Sequence, residues 1–230
     1  MSKSIINVTS VGLPEPEFVE NPTTRCSVCL LLDISGSMHG QPIDELSQGV
    51  KVLEATLKED DTARYSVEIS IVTFDSSVKV IQDFVAVNDF QAPNLSASGV
   101  TSMGSAINKG IDLIEQRKQV YKANGVNYHR PWLLLITDGA PTDSWQSAAQ
   151  RVRQAESDRK LSFFTIGVQG ADMQTLKQIA PVNRPPMMLK GLNFQELFVW
   201  LSNSVTQVSY SRPGDRLALP PVNGWASVDN

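Results

Sequence analysis

Five side chains in this sequence carry hard oxygen donors where a fold could gather them: Asp33, Ser35, Ser37, Thr101 and Asp138. Asp33-Ile34-Ser35-Gly36-Ser37 sets a carboxylate and two hydroxyls at alternate positions. Ser98-Gly99-Val100-Thr101-Ser102 is a hydroxyl-rich stretch, and Asp138-Gly139 supplies a second carboxylate. One or two carboxylates among neutral oxygens suit a hard divalent cation such as Mg²⁺. The local alternative makes Asp33 a helix cap, Ser35 and Ser37 turn formers, and Thr101 or Ser102 the cap of the next helix. That alternative explains each residue singly. It does not explain why two separate buried strands both end in Asp.

Those strands are legible from their neighbours. Val28-Cys29-Leu30-Leu31-Leu32 is a continuous apolar run that stops at Asp33, and Pro131-Trp132-Leu133-Leu134-Leu135-Ile136-Thr137 leads into Asp138. Runs of this kind read as strands covered on both faces, as in a parallel sheet. Strand one spans about 25 to 33. After Pro42, which suits the start of a helix, Ile43, Leu46, Val50, Leu53 and Leu57 step by three and four along one helical face. Tyr65 to Phe74 reads as strand two. Its polar positions Ser66, Glu68 and Ser70 suggest that one face is less deeply covered early on. Asp75-Ser76-Ser77 turns the chain into strand three, Val78 to Phe84, as a hairpin with an antiparallel edge.

Met103, Ala106, Ile107, Gly110, Ile111 and Ile114 mark a second helix. Strand four is about 131 to 137. Asp143, three residues before Gln146, has capping-box spacing and is expected to cap a third helix running to about Ser157. Leu161 to Val168 reads as strand five, 172 to 179 as a short helix, and Pro185 to Leu189 as strand six. A final amphipathic helix carries Phe194, Leu197, Phe198, Leu201, Val205 and Val208. Strands alternating with helices predict an α/β, doubly wound, mostly parallel six-stranded sheet with helices on both faces. The expected order is 3-2-1-4-5-6, with strand three antiparallel at the edge. Ligands of such sheets bind beyond the carboxyl ends of the strands, where the winding reverses, which here falls between strands one and four.

With the elements in place, Asp-x-Ser-x-Ser, a distant Thr and Thr-Asp-Gly together resemble the metal-ion-dependent adhesion site of von Willebrand factor A domains. The resemblance covers about 22 to 208. It implies Mg²⁺ or Mn²⁺ held by Asp33, Ser35, Ser37, Thr101 and Asp138, with an acidic side chain of a partner completing the coordination. Val100 stands where many members of that family carry Gly. Thr137 to Asp143 and the ending Leu219-Pro-Pro-Val-Asn-Gly-Trp225 are similar, more narrowly, to a bacterial cytoplasmic subgroup associated with tellurite resistance and stress operons. That similarity implies partners such as a protein kinase or a metal-dependent protein phosphatase.

Three regions are expected: an N-terminal arm over 1–24, extended or disordered; the α/β domain over 25–210; and a Pro-containing tail over 211–230. Pro213, Pro220 and Pro221 exclude a regular helix from the tail, while Leu217, Leu219, Val222 and Trp225 make it too apolar for a free linker. It is expected to pack back on the domain with Trp225 as anchor.

The 230 residues carry 20 basic and 24 acidic side chains, a formal charge of −4, which gives no electrostatic case for nucleic acid or an anionic membrane. Arg151, Arg153, Arg159 and Lys160 interleave with Glu156 and Asp158 and read as a solvated helix face. No secretory signal and no apolar run of ~20 residues stands out, so a cytoplasmic protein is expected. Cys26 and Cys29 form Cys-x-x-Cys, but on a strand they lie ~10 Å apart on opposite faces, too far for a disulfide. Two cysteines with only His39 and His129 do not supply a closed zinc site of four ligands. They read as reduced core thiols. His129 precedes strand four, at the end opposite the oxygen donors, and His39 reads as an exposed loop residue.

Two functions compete. The first is a metal-dependent protein-interaction module that recruits an Asp or Glu of a partner. The alternative is a metal-dependent phosphoester hydrolase. Catalysis would want a base or charge clamp beside the cation, yet the site loops contain no Lys or Arg. Phosphate-loop and dinucleotide-loop patterns are also absent. The expectation is a binding module without turnover.

Overall fold

The computed structural model describes Phe18 and residues 21–228. Seven strands form one sheet: β1 (Cys26–Asp33), β2 (Val67–Phe74), β3 (Val78–Ala86), β4 (Trp132–Thr137), β5 (Ser162–Gly167), β6 (Met187–Leu189) and β7 (Ala226–Val228). Their order is β3-β2-β1-β4-β5-β6-β7. All pairings are parallel except β2 with β3 and β6 with β7. The expected order therefore holds, and β7, from the tail, adds a strand that alternation along the sequence does not reveal. Three residues are too few for a period to register.

The helices are α1 (Gln41–Lys58), a single turn α2 (Ala63–Ser66), α3 (Met103–Ala123), α4 (Gln146–Ser157), α5 (Met173–Ile179) and α6 (Phe194–Ser209). Because successive strand residues face opposite ways, β1 serves two cores. Val28, Leu30 and Leu32 pack with α1 and α6, while Cys29 and Leu31 pack with α3, α4 and α5. All eight residues of β1 are buried, as are all six of β4, which is why both read as unbroken apolar runs. Among the described residues no helix is long and apolar enough to cross a membrane.

Strand two departs from expectation. It starts at Val67 because 63–66 form the helical turn, and its polar positions are not less covered. Glu68 is fully buried. Its carboxylate meets Arg117 Nε at 2.8 Å and Arg25 Nε at 3.1 Å, and also accepts the Tyr121 hydroxyl. A buried charge survives only when paired and hydrogen-bonded, so the polar pattern of β2 reports an internal ion cluster instead of solvent. Phe18 covers this cluster, buried 6.1 Å from the Tyr121 ring and beneath the guanidinium groups of Arg25 and Arg117. Of the extended or disordered arm expected over 1–24, residues 1–17, 19 and 20 lie outside the described residues.

Asp143 does not cap the helix it precedes. Its Oδ1 accepts the Gly104 amide at 2.9 Å and its Oδ2 accepts the Ser105 amide at 2.8 Å, so it caps α3 from another loop. Ser102, at the N-cap of α3, makes no side-chain capping bond. In the tail, Trp225 is buried against Trp200 with ring centroids 5.2 Å apart, and Trp200 Nε1 donates to the Pro220 carbonyl at 2.8 Å.

Candidate metal centre

The register fixes where the carboxylates meet. Leu32 pairs with Ile136 across β1 and β4, so Asp33 and Thr137 lie level at the carboxyl ends of neighbouring strands, and Asp138 follows at once. This is the point where β2 lies on one side of β1 and β4 on the other, the winding reversal that opens a crevice.

Asp33 is fully buried. Its Oδ1 accepts the Ser35 amide at 2.8 Å, and its Oδ2 accepts the Thr137 hydroxyl. Thr137 in turn accepts the Gly139 amide at 3.2 Å, which directs its proton towards Asp33. Thr137 belongs to the Thr-Asp-Gly motif but not to the five oxygen donors expected from the sequence; the signal for its bond to Asp33 is a hydroxyl closing an otherwise apolar run. Ser37 donates to Asp138 Oδ1 at 2.7 Å, and the Ser35 and Ser37 oxygens are 3.1 Å apart. A hydroxyl has one proton. Because Ser37 gives its proton to Asp138, Ser35 is the donor to Ser37. Asp33, Ser35, Ser37 and Asp138 thus form one hydrogen-bonded chain across two loops.

Thr101 reaches the same crevice from a third loop. It is nearly buried, and a Cβ placed on Gly139 would lie 3.0 Å from its Oγ1. Its carbonyl accepts the Thr142 amide at 2.9 Å, which joins the loop after β4 to the start of α3. Among the described residues its hydroxyl has no hydrogen-bond partner. Gly36 fits against this third loop: its amide donates to Gly99 O at 3.0 Å, and an added Cβ would approach that oxygen to 3.2 Å. Gly99 takes the left-handed conformation, φ 75°, one residue before the position where Gly is usual, so Val100 stands exposed without crowding the crevice. His39 is exposed and makes no bond to the five oxygen residues.

Burial holds the carboxyl groups of both Asp33 and Asp138 above the ordinary carboxylate range. Hydrogen bonds from Thr137 and Ser35 to Asp33, and from Ser37 to Asp138, oppose that rise, while the Asp138 charge adds to it at Asp33. Neither carboxylate is in an ion pair with a basic side chain among the described residues. Two desolvated, uncompensated carboxylates flanked by three hydroxyls fit a hard divalent cation, which would supply the missing charge. No cluster of three or more His, Cys, Asp or Glu side chains is placed to hold an ion among the described residues. Cys26 and Cys29 are free and lie in the two different cores, and burial pushes both thiols up to about 12. They are protonated core residues. His129 is buried at the opposite end of β4, as its sequence position implies.

The model of the von Willebrand factor type A domain matches residues 27–200. An uncharacterized protein of Synechocystis sp. is 30% identical over 146 residues, covering 61% of this chain and 31% of its own length. Matrilin-1 of Gallus gallus is 27% identical over 176 residues, covering 73% of this chain and 34% of its own. The chain therefore spans about a third of the curated relatives it matches. Among solved structures, the von Willebrand factor domain of the type V pili tip protein from Porphyromonas gingivalis aligns over 84% of this chain and 99% of its own, with TM-score 0.58 and 12% identity. The pilus adhesin SpaC from Lactobacillus rhamnosus GG aligns over 81% of this chain and 30% of its own, with TM-score 0.60 and 14% identity. At such identities the structural likeness speaks for the fold alone.

Proposed function

The chain belongs to the von Willebrand factor type A domain family, whose members generally serve protein interaction and adhesion, and on that premise we propose that it is a metal-dependent protein-interaction module. One observation carries the reading: Asp33 and Asp138, desolvated and without a basic partner, are joined through Ser35 and Ser37 in one hydrogen-bonded chain. Asp33, Ser35, Ser37, Thr101 and Asp138 would hold Mg²⁺ or Mn²⁺. The chain of bonds directs the Ser35 proton to Ser37 and the Ser37 proton to Asp138, which leaves hydroxyl lone pairs for a cation. When bound, the cation offers a coordination position that an Asp or Glu of a partner can occupy in place of water.

The hydrolase alternative is disfavoured by the donors present. Every hydroxyl bonded into the site is bonded to another hydroxyl, an amide or a carboxylate, and none to a histidine or lysine that could act as base. The narrower similarity of Thr137 to Asp143 and of Leu219 to Trp225 to the tellurite-resistance subgroup supports a cytoplasmic role in stress signalling. A protein kinase or metal-dependent phosphatase would then be the partner. The test is a pulldown with wild-type and Asp33→Ala protein in Mg²⁺ and in EDTA, with bound proteins identified by mass spectrometry. A partner retained equally in all four conditions would sink the reading.

A further inference from the structure

At the end of the sheet opposite the metal centre lies a cavity of about 940 Å³. Its floor is the amino ends of β4 and β5, and its outer wall is tail residues 211–219. From Trp132 to Asp138 the strand separates it from the metal centre by ~20 Å. Eight lysines and arginines line it, against two carboxylates, Glu115 and Asp215, in a chain whose net charge is −4. Glu115 is paired with Lys118, and Asp215 accepts the Arg212 backbone amide.

The acidic residues of the local sequence compensate only part of this basic lining. Glu156 turns inward and binds Arg130 and Arg184, and Asp158 pairs with Lys160. Lys122, Arg159, Arg212 and Arg216 are left with no ion pair among the described residues. Arg159 also sits at φ 54°, the left-handed turn that ends α4, where Lys160 N bonds Ala155 O and Arg159 N bonds Glu156 O. Glycine is the usual residue at that position, so Arg159 takes a strained conformation beside the cavity. A second polar group points the same way: His129, 3% exposed and lining the cavity, has Nε2 buried without a partner. Trp132, Phe164, Leu217 and Leu219 give the lining an apolar part.

We propose that this cavity is a second binding site, for a phosphate-bearing organic anion of nucleotide size. Guanidinium groups match phosphate oxygens in a planar, bidentate fashion. Four unpaired cations call for several negative charges on one ligand. The volume lies within the range of small-molecule sites, and the mixed apolar and polar lining is typical of them.

Isothermal titration of the full chain in EDTA, which silences the metal centre, tests this with ATP, tripolyphosphate and adenosine as probes. ATP should bind saturably and weaken with added salt. Tripolyphosphate, lacking a body for the apolar wall, and adenosine, lacking charge, should each bind roughly tenfold more weakly or worse. Arg159→Gly combined with Arg216→Ala should lower ATP affinity by roughly tenfold. Arg159→Gly alone should melt no lower than wild type, since glycine suits the left-handed turn. The proposal is overturned if ATP shows no saturable binding at millimolar concentration, if the double variant binds it unchanged, or if a Glu-rich peptide binds where ATP does not.

Discussion

Ser37 donates its hydroxyl to Asp138 Oδ1 at 2.7 Å, closing a bond between loops 101 residues apart in sequence. The bond holds the two strand-end carboxylates in one crevice. Backbone bonds from Gly36 N to Gly99 O and from Thr142 N to Thr101 O join the loops after β1 and β4 to the loop before α3 as well.

Cation binding should appear as stability. A ligand at 100 times its dissociation constant adds ~2.7 kcal/mol, which for a chain of this size is a rise in Tm of roughly 5–10 °C. Millimolar Mg²⁺ should raise the wild-type Tm and leave Asp33→Ala unmoved, read by differential scanning fluorimetry. Equal rises in both proteins would put the cation elsewhere.

Thr137→Val keeps the shape of the side chain but removes the donor to Asp33 and the acceptor for Gly139. Groups that orient a metal ligand typically contribute 10–100-fold to affinity. Titration with Mn²⁺, followed by electron paramagnetic resonance, should show a loss of about that size. Wild-type affinity in this variant would mean that Asp33 needs no positioning by Thr137.

The raised carboxyl groups of Asp33 and Asp138 make a pH prediction for the metal-free protein. A carboxyl whose folded pKa exceeds its unfolded value favours folding while protonated. That contribution is complete below the unfolded value, near 3.8, and is lost as pH rises through the higher folded value. In EDTA, Asp138→Asn should therefore gain stability relative to wild type as pH rises from acid to neutral. Saturating Mg²⁺ should reverse the ranking at neutral pH. Parallel urea midpoints for the two proteins across the pH range in EDTA would count against it.

Asp143→Ala should destabilise α3, not α4. Loss of an N-terminal cap typically costs ~1 kcal/mol. Hydrogen exchange should accelerate at the Gly104 and Ser105 amides, which Asp143 accepts, and stay unchanged at the first turn of α4. Faster exchange in α4 would restore the local reading of this residue.

Trp225→Ala should cost ~3–5 kcal/mol, the range for emptying a buried aromatic site. Trp225 is 3% exposed, and the Lys190 amide donates to its carbonyl at 2.8 Å. β7 should loosen with it, and limited proteolysis should then cut the tail while wild type resists.

The sequence by itself determined the frame. Two unbroken apolar runs, each ending in Asp, located β1 and β4, and alternation with helical periods predicted the strand order that the sheet adopts. Asp33 and Asp138 could be placed in one crevice because carboxylate type and strand end are both local properties. The tertiary structure decided which polar group meets which. Glu68 reads as part of a less deeply covered face and is instead the buried partner of Arg25 and Arg117. Asp143 had the spacing to cap α4 and caps α3. Glu156 stood among basic neighbours and turns to Arg130 and Arg184, leaving Arg159 unpaired beside a cavity. Periodicity reports how much of a residue is covered, because burial repeats with the turn of the helix or the pleat of the strand. A hydrogen bond or ion pair depends on two atoms brought within about 3 Å by the whole fold, and no local pattern carries the identity of a partner tens of residues away.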